Sequence, residues 1–251
     1  MSRPGRLLAP HRERYGLLLF LLVFTYVLSA FASGAEVSAS QVLLFMWVLL
    51  LVLRGGRRSR QISRLITTVV VAGSVGTASL SLLLRSPAAR AAADLWTALV
   101  LLLAVGLIVA RILAHQEITL QSLLGAISAY LIIGLMFASI YRAVDLLAGG
   151  GFFAAGDVGA RLADQSVSTY QYFSFTTLTT LGYGDYTAAG NDGRAIAVLE
   201  ALSGQVFLAT LVARLVAAFR PGQARHAPAS RQAAGARPRC SAPRRPARPR
   251  R

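Results

Sequence analysis

Along the chain, apolar residues gather into six long runs separated by short polar stretches. The runs extend from Tyr15 to Phe31, Val37 to Leu53, Leu65 to Leu84, Leu95 to Leu113, Ile118 to Tyr141 and Ala195 to Phe219. Each lies close to the roughly 17 to 25 residues that a helix needs to cross a bilayer. Within a bilayer every backbone N–H and C=O must find a partner in the protein. Runs of this length do so as helices, whereas barrel strands are shorter and alternate in polarity. The pattern predicts an all-α membrane fold with six transmembrane helices.

Composition narrows the picture. The 251 residues are 55% hydrophobic and 14% charged, with a mean hydropathy of +0.57. A soluble domain carries about 25% charged residues, so a soluble globular protein is excluded. The net charge of +16 comes from 26 basic residues, all of them arginine. These arginines cluster at the flanks of the apolar runs, which reads as membrane topology and not as a nucleic-acid surface.

Arg3, Arg6, Arg12 and Arg14 precede the first run, and Arg54, Arg57, Arg58, Arg60 and Arg64 separate the second from the third. The loop between the first and second runs has no base. Positive charge accumulates on the cytoplasmic side, which puts both termini in the cytoplasm of a multi-pass protein of the cell membrane. The next outer loop, with Arg85 and Arg90 against Asp94, fits less cleanly. An alternative makes the first run a cleaved signal peptide ending at Ala30-Phe31-Ala32; the later topology is the same. Residues 220–251 hold ten arginines with repeated Ala and Pro and no acid. Such a tail is expected to be disordered, either simply solvated or in contact with anionic lipid headgroups. The single cysteine, Cys240, permits no intrachain disulfide.

Between the fifth and sixth runs lie about 50 residues that are not an ordinary loop. After Gly149-Gly150-Gly151, the aromatic and hydroxyl-rich stretch from Ser166 to Thr179 predicts a helix near 21 Å long at about 1.5 Å per residue. It is too short to cross, and it can enter the membrane and stop only where protein or a water-filled cavity surrounds it. Thr180-Leu181-Gly182-Tyr183-Gly184 follows it, and then Asp185.

This segment resembles the selectivity filter of the potassium channel family, Thr-Val-Gly-Tyr-Gly followed by an acid. The resemblance covers about Ile118 to Phe219 and matches the family's order of helix, pore helix, filter and helix. It implies a homotetramer in which the carbonyls of Thr180, Leu181, Gly182, Tyr183 and Gly184 replace the hydration shell of K⁺, with the Thr180 hydroxyl as innermost ligand. Potassium is then the transported ion at the filter carbonyls. Glycine at 182 and 184 supplies backbone conformations that L-residues avoid. Asp185, Tyr172, Thr179 and Thr176 stand as supports of the filter, and the short helix points the negative end of its dipole at the cavity below.

The sequence departs from the family pattern twice. Leu181 stands where valine or isoleucine is most familiar, and Tyr172 stands where many relatives have tryptophan. The Tyr172 hydroxyl either takes over that tryptophan's hydrogen bond to Asp185 or fills space at the interface. Gly204 resembles the family's gating hinge, with close helix packing as the other reading. Glu200 is read as the only carboxylate well inside a span, either lining the cavity or bonded to the pore-helix threonines. Gln205 is a further candidate for the cavity wall.

Six helices with the pore last is also the layout of voltage-gated channels. A voltage sensor needs several arginines at every third position, yet the fourth run has no charge between Asp94 and Arg111. The expected domains are a basic N-terminus (1–14), a non-sensing four-helix region (15–117), the pore domain (118–219) and the arginine-rich tail (220–251). His11, His115 and His226 are scattered, and no catalytic or cofactor-binding constellation stands out. The chain therefore reads as a passive K⁺ channel subunit rather than an enzyme, partnered by itself and the bilayer and not by nucleic acid. The alternatives are a non-selective cation channel and a secondary transporter with a broken helix; transporters of that kind interrupt both halves, and here only one is interrupted.

Overall fold

The computed structural model describes residues 15–31, 43–47, 50, 60–114, 119–154 and 166–218. The basic N-terminus, most of the second predicted helix, His115 and the arginine-rich tail with Cys240 lie outside the described residues. The named helices are α1 (Tyr15–Phe31), α2 (Arg60–Leu84), α3 (Pro87–Ala114), α4 (Leu120–Leu147), α5 (Val167–Leu178) and α6 (Asn191–Ala218). Four of them, α2, α3, α4 and α6, are long and apolar enough to cross a membrane. α1 is a shorter apolar helix, so six full spans are more than the described residues display.

The helices run beyond their apolar cores because polar residues cap them or pair within them. Pro87 opens α3 with its φ already set for a helix and its missing N–H not needed there. The Ser86 hydroxyl accepts from the Ala89 N–H at 3.2 Å. α3 thus begins eight residues before the predicted Leu95 and takes in Arg90 and Asp94. α4 starts on Thr119, whose hydroxyl accepts from the Ser122 N–H at 3.2 Å. It continues past Tyr141 through Arg142 and Asp145. Gly149, with φ +79°, then turns the chain where an L-residue would be strained.

α3 and α4 form the most extensive pairing. Small buried residues, among them Ala91, Ala104, Ala129 and Ala143, let membrane helices approach closely. α2 packs on the far side of α3. α5 lies between α4 and α6, and α1 packs against both α4 and α5. The first helix is therefore in direct contact with α5: the Tyr26 and Phe175 rings meet edge to face at 5.2 Å. Among the described residues no strand forms. A single antiparallel bridge, Phe153 to Ala188, ties the loop before α5 to the loop after the Gly-Tyr-Gly segment.

Candidate ion-conduction site

The site begins with a helix made to be short. α5 has 12 residues, or about 18 Å at 1.5 Å per residue. Ser166 caps its start, with the hydroxyl accepting from the Thr169 N–H at 3.4 Å, and Thr179 caps its end. Both ends fall where the sequence places them.

Five polar contacts hold this helix against its neighbours. The Tyr170 hydroxyl donates to Asp145 on α4. The Ser174 hydroxyl contacts the Gly134 carbonyl of α4 at 2.7 Å and the Glu200 carboxyl of α6. The Tyr130 hydroxyl donates to the Leu178 carbonyl at 3.2 Å. Ser29 of α1 bonds Gln171. The aromatic faces of α5 add edge-to-face contacts, including Phe173 with Tyr141 at 4.9 Å, a geometry that complements the ring quadrupoles.

The helix delivers the chain into an unusual backbone. Thr180, Gly182 and Gly184 have φ of +59°, +53° and +80°, and these left-handed residues alternate with Leu181 and Tyr183, which do not share that conformation. The Gly182 N–H donates back to the Thr176 carbonyl at 3.2 Å, which fixes the segment to the end of α5. Residues 179 to 185 are all exposed, with Leu181 at 58% and Tyr183 at 67%. Beyond the glycines, the Tyr172 hydroxyl donates to Asp185 Oδ2 at 2.7 Å. The Tyr172 ring stacks on Tyr183 at 6.5 Å and 10°. The bond to Asp185, with some desolvation, pushes the Tyr172 hydroxyl up to about 12, so it stays a donor at neutral pH.

A short capped helix, a left-handed alternation and spanning helices on either side form one unit, and a family described as an ion channel matches residues 127–220 of the chain, from within α4 through α6. The curated relative Protein LctB of Bacillus caldotenax is 33% identical over 106 residues, covering 42% of this chain and 78% of that protein. The chain belongs to the ion channel family. No solved structure matches it.

Within the channel, several sequence expectations change. Glu200 is fully buried and meets Ser174 and Tyr141, not the pore-helix threonines. Nor is it the only carboxylate inside a helix: Asp94 is 7% exposed and Asp145 2% exposed, each within α3 or α4. The hydroxyls of Thr176 and Thr179 bond carbonyls of their own helix, at Phe173 (3.0 Å) and Phe175 (2.6 Å). Thr176 reaches the glycine segment through its main-chain carbonyl instead. Gly204 is buried, and a Cβ there would stand 2.7 Å from the Leu178 carbonyl oxygen, so close packing demands glycine at this position. Gln205 is exposed on α6.

The sequence reading passed over one network entirely. Arg142 Nε pairs with Asp94 Oδ2 at 2.8 Å across the α3–α4 contact. One turn on, Asp145 accepts from Tyr170 through Oδ2 and from the Phe152 N–H at 2.9 Å through Oδ1. The signal was present in the sequence as an arginine and an acid three residues apart, one helical turn, directly beyond an apolar run.

Proposed function

We propose that the chain is one subunit of a homotetrameric, potassium-selective pore that conducts passively, with residues 180–184 as the selectivity filter. The observation that carries this reading is the alternation of left-handed backbone at Thr180, Gly182 and Gly184. An extended strand points successive carbonyls in opposite directions, whereas alternating handedness turns them to one side, as the replacement of a hydration shell requires. Every filter residue is exposed in the single chain, and one chain offers only one wall. Four copies about an axis would enclose the ion. The outward face of α6, with Val198, Leu199, Leu202 and Val206 exposed, is available to other copies and to lipid.

Asp185 and Tyr172 act in this reading as the outer brace of the filter, and Gly204 and Gln205 belong to the helix that lines the cavity. Opening is not driven by an arginine sensor, because the membrane core of α3 carries no charge between Asp94 and Arg111. Both termini face the cytoplasm, where the arginine-rich tail can meet anionic headgroups.

Reconstituting the full chain in liposomes and measuring K⁺ against Na⁺ flux, with and without Gly182→Ala, tests the proposal. The expected result is K⁺ flux well above Na⁺ flux, abolished by the substitution, since alanine in the left-handed region costs about 1 to 2 kcal/mol per residue. Equal flux of the two ions would make this a non-selective cation pore. Flux coupled to a proton gradient, or indifferent to Gly182→Ala, would overturn the channel reading.

A further inference from the structure

Glu200 lies on α6 one turn before Gly204 and is 0% exposed. Its two oxygens face two other elements. Oε2 accepts from the Tyr141 hydroxyl of α4 at 2.6 Å, and Oε1 meets the Ser174 hydroxyl of the pore helix α5. Ser174 Oγ is also 2.7 Å from the Gly134 carbonyl oxygen.

The number of protons limits what these atoms can be. A serine hydroxyl has one proton to give, a main-chain carbonyl can only accept, and an ionised carboxylate can only accept. If Ser174 gives its proton to Gly134, the second contact needs a proton from the carboxyl group. If it gives its proton to Glu200, the Gly134 carbonyl loses a donor at a distance that a hydrogen bond would explain. Both contacts are satisfied together when Glu200 is a carboxylic acid donating through Oε1 to Ser174 Oγ while Oε2 accepts from Tyr141. A neutral acid is also the form that costs less at membrane depth than a bare charge.

We infer that Glu200 is a neutral, hydrogen-bonding acid that positions the pore helix between α4 and α6 and so sets the filter geometry of the pore proposed above, on which this inference rests. The route is short. Ser174 stands two residues before Thr176, whose carbonyl holds the Gly182 N–H at 3.2 Å. One turn further along α6, the bare Cα of Gly204 lies against the Leu178 carbonyl region. α6 thus touches the pore helix through Ser174 and again through Leu178, and the acid supplies the directional contact.

Glutamine has the same shape, with a donor and an acceptor, and no charge. In the full-length protein reconstituted into planar bilayers, Glu200→Gln is expected to keep the wild-type K⁺/Na⁺ permeability ratio and single-channel conductance. Glu200→Ala and Ser174→Ala are expected to lower the ratio about tenfold, the scale of one to two buried hydrogen bonds. A Glu200→Gln channel that fails together with Glu200→Ala would mean that the charge is required and would overturn the inference. So would an alanine channel as selective as the wild type. Infrared difference spectra of wild type against Glu200→Gln read the protonated carboxyl C=O band without relying on conduction. Loss of one such band in the variant is expected, and its absence from the wild type would overturn the inference. A wild-type protein that shows the band but passes no K⁺ would refute the proposed function and leave Glu200 as a neutral acid.

Discussion

The Tyr172 hydroxyl and Asp185 Oδ2 lie 2.7 Å apart, joining the middle of α5 to the residue that follows the glycine segment. Asp185 Oδ1 also accepts from the Tyr186 N–H at 3.1 Å, so the carboxyl is held on both oxygens. Tyr172→Phe removes one of these contacts and keeps the ring that stacks on Tyr183. The expected outcome is a channel that assembles and opens but loses current several-fold faster under sustained recording.

The same bond fixes a pH dependence. It needs the protonated phenol, and the hydroxyl is raised from 10.0 to about 12 by that bond first and by desolvation second. A group whose folded value is raised gives its full stabilisation below its unfolded value, here 10.0, and loses it as pH rises through about 12. Current stability should therefore be flat on this account up to about pH 10 and fall above it in the wild type. The fall should be missing in Tyr172→Phe. Recording both channels in alkaline outer solution checks this, and identical profiles would remove Tyr172 from the explanation.

Arg142 and Asp94 form a buried pair between α3 and α4, with side-chain exposures of 8% and 10%. Removing one partner of such a pair leaves an uncompensated charge, which costs about 3 to 5 kcal/mol. Asp94→Leu and Arg142→Met should each lower the thermal stability of the detergent-solubilised channel by an amount of that order. Replacing both with apolar residues of similar volume should recover most of the loss, because a well-packed apolar pair often matches a buried ion pair. Melting curves of the two single variants and the double variant give the coupling energy directly. Additive losses would mean that the two residues act independently.

These residues also mark where the sequence stopped being legible. Apolar runs, the short hydroxyl-rich helix and the glycine pattern are local signals, and the caps at Ser166 and Thr179 fall where they predict. Arg142 and Asp145 were lost because the fifth apolar run closes at Tyr141, where two charges follow within four residues. What keeps these charges inside α4 is a partner far along the chain, with Asp94 48 residues from Arg142 and Tyr170 25 residues from Asp145. Ser174 was hidden among neighbouring threonines. Only the turn of α5 and the placement of α6 decide which hydroxyl meets Glu200. The contact of α1 with α5 leaves no local trace either, since Tyr26 and Phe175 look like any two aromatics in apolar surroundings.

Gly204 separates two readings that the sequence left level. If glycine serves only to weaken α6 at a bend, Gly204→Ala should stabilise the protein by about 1 kcal/mol, the helix-propensity difference, while hindering opening. The packing predicts the opposite sign for stability. A Cβ would stand 2.7 Å from the Leu178 carbonyl oxygen and 2.8 Å from Leu178 Cδ1, and the same carbonyl accepts from Tyr130 at 3.2 Å. Backbone oxygen yields little, so α5 must shift and that hydrogen bond must lengthen. Overpacking of this kind costs about 1 to 3 kcal/mol. Gly106 on α3 is the internal control, because a Cβ there meets nothing within 4 Å. Gly106→Ala should be neutral or stabilising by up to about 1 kcal/mol. Melting temperatures of the two variants in one detergent decide the matter: a stabilised Gly204→Ala protein would reject the packing reading.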